Sequence, residues 1–142
     1  TCSIMDVAKY QKRISGPIID RIDLLIRVPK VENNQLFSKT KAEDSNTVRE
    51  RVQKARNLQI ERFSKSNIFS NSEMVQKDIE KYVELDSSTQ TLLKTAVDRM
   101  NLSARSYYRL LKVALTIADL RNSPKVEDQD VLEALSFRVE IN

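Results

Sequence analysis

Arginines set the chemical possibilities of this chain. Arg21 stands between two carboxylates in Asp20-Arg21-Ile22-Asp23, just ahead of an apolar run, Leu24-Leu25-Ile26-Arg27-Val28, closed by Pro29. Arg105 and Arg109 follow Ser103, a residue suited to capping a helix, and their spacing puts them on one helical face close to the helix start. A guanidinium stays charged and donates from a planar fork that matches the paired oxygens of phosphate or carboxylate. A helix N-terminus adds its own attraction for anions. The chemistry on offer is therefore the placing of fixed positive charge against an anion such as a phosphate. Plainer readings stand beside it. Arg21 would pair with its flanking aspartates at the surface, and Arg105, Arg109 and Lys112 would form a solvated basic stripe.

Several other chemistries are excluded by absence. The 142 residues contain no histidine, one cysteine (Cys2) and one glycine (Gly16). Without histidine there is no imidazole acid–base relay and no histidine metal site. A lone Cys2 closes no intrachain disulfide, which leads us to expect a reducing, cytoplasmic setting. A phosphate-cradling loop of the G-x-x-x-x-G-K-[ST] type needs two glycines to let the backbone wrap the phosphates, so this chain by itself is expected neither to bind nor to hydrolyse ATP that way. Asp20, Asp23, Asp128 and Asp130 form no convincing metal cluster. No apolar run approaches the ~18 residues of a membrane span, and no membrane partner is expected. Hydrophobic content of 40% and charged content of 31% fit a globular domain. The net charge of +4 is compatible with a nucleotide or nucleic-acid partner and equally with an ordinary surface. The opening, Thr1-Cys2-Ser3-Ile4-Met5-Asp6, is neither a signal peptide nor a usual initiation, so a piece of a longer protein is expected.

The elements that would hold the arginines are mostly helices. Residues 3–14 read as a short helix capped by Ser3 and broken at Gly16-Pro17, and residues 18–23 as a single turn. Residues 24–28 read as a strand without a ladder partner in this chain. Such a segment should be disordered, paired with another molecule, or laid against the rest. A loop follows, with a helical turn around 35–37. Then comes a long helix from about 46 to 65, with N-cap candidates among Asp44, Ser45, Asn46 and Thr47. It carries Val48, Val52, Ala55 and Gln59 at helical spacing, and Arg49, Arg51, Lys54, Arg56, Arg62 and Lys65 on a basic surface that is either solvated or turned to DNA. Four further helices are predicted: 74–83; one capped by Asp86 with Leu92, Leu93, Ala96, Val97 and Met100 in a stripe; one begun by Ser103 with Tyr107, Leu110, Leu111, Ala114, Ile117 and Ala118; and 128–138 with Val131, Leu132 and Leu135 inward. These four would close one core as a bundle. Tyr107 and Tyr108 are read as packing residues.

Local patterns then agree with one another. Tyr10-Gln11-Lys12-Arg13-Ile14-Ser15-Gly16-Pro17-Ile18-Ile19-Asp20-Arg21-Ile22-Asp23 resembles the Y-x-x-[KR]-I-S-G-P-[LI]-[LI]-D-R-I-D segment of magnesium-chelatase-like AAA+ proteins of the ComM/YifB type. Leu102-Ser103-Ala104-Arg105-Ser106-Tyr107-Tyr108-Arg109 is similar to that family's L-S-A-R-[AS]-Y-x-R, and Ile117-Ala118-Asp119-Leu120 continues the likeness. Residues 126–135 resemble the less specific V-x-x-x-D-[VI]-x-E-A-L helix of AAA+ lids. The resemblance runs along nearly the whole chain in the family's order, although of the family's paired upstream cysteines only Cys2 is present.

The resemblance implies a mainly α fold: an AAA+ C-terminal helical lid bundle preceded by the last helix, the arginine-finger turn and one strand of the AAA+ core. Residues 1–30 would be the tail of that core, 31–69 a linker and long insertion helix, and 70–142 the lid. It implies that Arg21 is an arginine finger acting in trans on a neighbour's γ-phosphate. Arg105 would be the sensor-2 residue; Arg109, which shares its helical face one turn on, is read from that spacing as a second contact to the nucleotide. ATP and Mg2+ would be cofactors of the longer protein, its partners other copies of itself in a ring (a hexamer) and DNA, and its work ATP-driven DNA remodelling of a branch-migration helicase kind in competence or recombination. Two alternatives remain: a metal-insertion chaperone like the magnesium chelatase ATPase subunit, and a plain helical interaction domain. The S-G-P form with D-R-I-D favours the first reading over the chelatase.

Overall fold

The computed structural model describes residues 21–30 and 43–138. Within them lie helices α1 (Ser45–Arg62), α2 (Gln76–Tyr82), α3 (Ser87–Met100), α4 (Ala104–Leu120) and α5 (Asp128–Ser136), with a 3-10 turn at Asn71–Glu73 before α2. The predicted helix at 3–14, the turn residues 18–20, the loop with its turn at 35–37 and the glycine break at Gly16 lie outside the described residues.

Helix starts follow side-chain chemistry. Asp44 caps α1 by accepting from the Asn46 amide at 3.3 Å, Asp86 caps α3 through the Thr89 amide at 2.8 Å, and Ser103 caps α4 through the Ser106 amide at 3.2 Å. In α2 and α5 an aspartate three places into the helix reaches back instead: Asp78 accepts from the Val75 amide at 2.9 Å and Asp130 from the Glu127 amide at 2.8 Å. Between α3 and α4 the chain turns within three residues. Asn101 ends α3 at φ 47°, ψ 47°, a left-handed conformation that asparagine tolerates, and the Leu102 amide then donates to the Val97 carbonyl at 3.1 Å. The Asn-Leu-Ser-Ala-Arg motif is thus a helix stop and a helix start set back to back, which fixes where Arg105 emerges.

α4 is the central helix, packing most extensively against α5 and next against α1. Leu110, Leu111, Ala114, Leu115 and Ala118 are buried along it, and the two alanines, fully buried one turn apart, leave room for close approach of neighbours. Phe63, Met74, Ile79, Leu93, Val126, Val131 and Ala134 complete the core.

Some expectations are corrected. No strand forms among the described residues: the start of segment 24–28 touches the bundle, where the Leu25 amide donates to the Phe137 carbonyl at 3.0 Å, while Ile26 and Val28 stay exposed. A single bond of that kind is no ladder, and only the first residues of the segment take the last of the three outcomes open to a lone strand. Leu132 does not point inward; it is 55% exposed, because α5 buries Asp130, Val131 and Ala134 and Leu132 falls one position off that face. Val48 and Val52 are likewise exposed, so only the second half of α1, from Ala55, meets the bundle. The helix predicted from residue 74 begins at Gln76, since Met74 is drawn into the core as the 3-10 turn ends.

Candidate functional site

Beside the N-terminal half of α4 lies a cleft of about 740 Å³, lined by Arg105, Tyr108, Arg109 and Lys112 from α4, by Asp23 and Leu24 from the N-terminal segment, and by Phe137 after α5. Arg105 sits in the first turn of α4, exposed, and has no hydrogen-bond or ion-pair partner among the described residues. Arg109, one turn on, is engaged: its Nε donates to Asp23 Oδ1 and its Nη2 to the Arg21 carbonyl oxygen. Lys112, a further turn along, donates to the Ser72 carbonyl at 2.9 Å. These contacts shape the local titrations. The Arg109 hydrogen bond, working against partial burial, holds the Asp23 carboxyl below the usual aspartate range, with Arg138 and Lys112 adding smaller attractions. Burial pushes the Lys112 ammonium down and the Tyr107 phenol up.

The predicted site residues are therefore brought to one edge of the bundle in different states. Arg105 and Arg109 line the same cleft. Arg21 is exposed beside it, its backbone carbonyl held by Arg109. Asp23, read in the sequence as a surface partner of Arg21, pairs instead with Arg109, eighty-six residues away in the chain. Asp20 lies outside the described residues. Tyr107 and Tyr108 meet edge to face at 5.3 Å and serve packing. No group of acidic, histidine or cysteine side chains among the described residues could hold a metal ion. Asp128 accepts from Ser88 and Thr89, and Asp130 takes both Nε (3.2 Å) and Nη2 (2.9 Å) of Arg121. Both aspartates are structural.

A second constellation escaped the reading of the sequence. Arg62, assigned to the basic surface of α1, is turned inward and donates to both oxygens of Asp119, with Nη1 at 2.9 Å from Oδ2. Asn71 joins them, accepting from Arg62 at 2.9 Å and donating to Asp119 at 2.8 Å and Thr116 at 3.0 Å. Gln59 accepts from the Asn71 amide at 3.2 Å. The available signal was a lone carboxylate, Asp119, one place after the buried Ala118 in the apolar stripe of α4: a charge on a core face demands a partner. Its partner, 57 residues away, could not be read from the sequence alone.

The fold and these motifs define the C-terminal helical lid of a magnesium-chelatase-like AAA+ protein, and comparison with known sequences agrees. Residues 42–138 match the family described as magnesium chelatase, subunit ChlI, C-terminal, and residues 1–36 match magnesium chelatase, subunit ChlI. The chain belongs to this family. It is 38% identical over 137 residues to the competence protein ComM of Haemophilus influenzae, and 36% identical over 139 residues to YifB of Escherichia coli, covering 96% of this chain and 26% of each relative. The protein Mb2921c of Mycobacterium bovis is 33% identical over 139 residues, 96% of this chain and 27% of that protein. The chain thus spans about a quarter of the length of these relatives. No described helix is long and apolar enough to cross a membrane.

Proposed function

We propose that this chain is the lid and finger portion of a ring-forming AAA+ ATPase, in which Arg105 contacts nucleotide phosphate and Arg21 serves a neighbouring subunit's γ-phosphate. The observation that carries the reading is the contrast within one helix face. Arg105, in the first turn of α4 and exposed at the cleft, has no partner among the described residues, whereas Arg109 one turn later is committed to Asp23 and the Arg21 carbonyl. A cation presented without a counter-ion at a helix N-terminus suits an anionic ligand. In this reading Arg105 makes the phosphate contact and Arg109 supports the neighbouring segment. The donor set fits the phosphates of ATP; when bound, the nucleotide supplies the γ-phosphoryl group whose transfer the arginines would serve. Mg2+ finds no ligand group among the described residues, so the reading assigns its ligands to other parts of the longer protein.

Phosphoryl transfer spreads negative charge over the γ-phosphate oxygens, and a fixed guanidinium there lowers the barrier. In the longer ring protein, Arg21→Ala should leave ATP affinity near normal and slow turnover by ~10³-fold or more. Arg105→Ala should weaken nucleotide binding as well as turnover, because its contact already exists in the ground state. Subunit mixing decides the geometry. Arg21→Ala subunits combined with subunits defective only in the phosphate loop should regain activity, since an intact site can then meet an intact finger across one interface. Silence of every mixture, with co-assembly confirmed, would remove Arg21 from trans action.

The work of the motor is proposed as ATP-driven remodelling of DNA in the cytoplasm. Two observations support this: the likeness to a protein named for competence, and the exposed basic residues Arg49 and Lys54 on the part of α1 that leaves the bundle. A metal-insertion role is the second reading, and it rests on the family's chelatase description. ATPase stimulation by branched DNA, and its loss on reversing the α1 charges, would favour the first.

A further inference from the structure

α4 carries two arginines one turn apart with different tasks, and the second of them holds the segment that bears the third. Arg109 uses two of its donors on adjacent parts of one short stretch: the side chain of Asp23 and the backbone carbonyl of Arg21. Two donors of a planar fork fix orientation as well as position, which a single ammonium would not do. The stretch is tied down again two residues later, where the Leu25 amide donates to the carbonyl of Phe137, the residue that ends α5. The contact on Arg21 is to its own backbone, so only the Arg21 side chain separates the clasp from the guanidinium. At the other end, Arg105 and Arg109 are one turn apart on a helix whose opposite face is buried from Ser106 to Asp119. About 6 Å of rise separates them, and a helix packed on this scale moves as a rigid rod.

We propose that Arg109 is a positioning residue that couples the phosphate-facing end of α4 to the segment bearing Arg21, so that the two arginines move as one body. The inference rests on the reading of Arg21 and Arg105 given above and adds the linkage between them. A shift of α4 that follows nucleotide contact at Arg105 is transmitted through Asp23 to the finger offered to the next subunit. Because water reaches the Asp23 side chain, 54% accessible against 17% for Arg109, the linkage can also be released.

The test uses the longer ring protein, with Asp23→Ala, Arg109→Ala, both together, and the exchanged pair Asp23→Arg with Arg109→Asp. Each single variant should slow ATP turnover by roughly tenfold while leaving ATP affinity unchanged, and the double should be no slower than either, since one linkage is lost once. The exchanged pair should recover part of the rate. Amide exchange at Leu25 in the 142-residue chain, measured without nucleotide, should speed by roughly fivefold in each single variant. Wild-type turnover in both single variants would overturn the coupling. So would a loss of ATP affinity in Arg109→Ala that Asp23→Ala does not share, because Arg109 would then be a phosphate ligand. Arg21→Ala assayed alongside separates the failures. If it slows turnover and the clasp variants do not, the coupling falls and the finger stands; if it too is silent, the finger reading falls and takes the coupling with it.

Discussion

Two of the arginine–aspartate pairs in this molecule, Arg62–Asp119 and Arg109–Asp23, differ chiefly in burial. Arg62 and Asp119 meet inside the bundle, with side chains 13% and 0% exposed, both carboxylate oxygens occupied and Asn71 filling the remaining valences. Arg109 and Asp23 meet at the rim of the cleft, where water reaches more than half of the aspartate. The first pair locks α1 and the 3-10 turn onto α4. The second holds a segment that touches the bundle through few other bonds. A buried charge stripped of its partner cannot be rescued by solvent, whereas an exposed one is rehydrated at once. Identical chemistry thus gives a fixed joint in one place and a releasable one in the other, and only the releasable one lies near the arginines proposed to act on nucleotide.

The sharpest way to break the comparison is to remove one carboxylate from each pair. Asp119→Ala should cost about 3–5 kcal/mol, since Arg62 and Asn71 are left without their acceptor inside the fold. Asp23→Ala should cost no more than about 1 kcal/mol. Urea denaturation of the two variants beside wild type measures both. Equal losses would show that burial does not separate these pairs. Between the extremes stands Ser103→Ala, which removes the cap of α4 and should cost about 1 kcal/mol. That variant should also lower ATP affinity in the longer protein, because the first turn carrying Arg105 would fray. An unchanged affinity in a measurably destabilised variant would detach Arg105 from the nucleotide.

Much of the helical bundle was legible because its signals are local. Asp86 and Ser103 cap the helices that their positions announced, and the Leu110, Leu111, Ala114 and Ala118 stripe is the face that α4 buries. Leu132 misled because three apolar residues close together, Val131, Leu132 and Leu135, do not reveal which of two neighbouring faces wins. Here the competing claim came from Asp130, whose ion pair with Arg121 and bond to the Glu127 amide turn it inward and set the register of α5. The strand at 24–28 looked convincing by composition, yet a strand is a pairing and not a property of one segment. The site divided in the same way. Arg105 at a helix start was readable from a cap and a count of residues. The partners of Arg109 and Arg62 were not, because no local rule links residue 109 to 23 or residue 62 to 119.

The smallest expected effect is the most specific to the exposed pair. The Asp23 carboxyl is held below its ordinary range first by the Arg109 hydrogen bond, and then by the charges of Arg109, Arg138 and Lys112, against a partial cost of burial. A carboxyl whose folded pKa is depressed contributes its stabilisation above the unfolded value, about 3.9 for aspartate, and loses it as pH falls through the folded one. The clasp should therefore hold through the neutral and mildly acidic range and open only below about pH 4. A carbon NMR titration of the Asp23 carboxyl should show a midpoint lower in the wild type than in Arg109→Ala, and the Leu25 amide resonance should move with that midpoint as the segment comes away from Phe137. High salt should raise the wild-type midpoint toward the ordinary value, because exposed charges are screened, while the urea stability conferred by Arg62 and Asp119 at neutral pH should change little. A Leu25 resonance indifferent to the protonation of Asp23 would mean that Phe137 alone holds the segment. Arg109 would then merely rest on it, and the contrast between a fixed and a releasable joint would lose its second member.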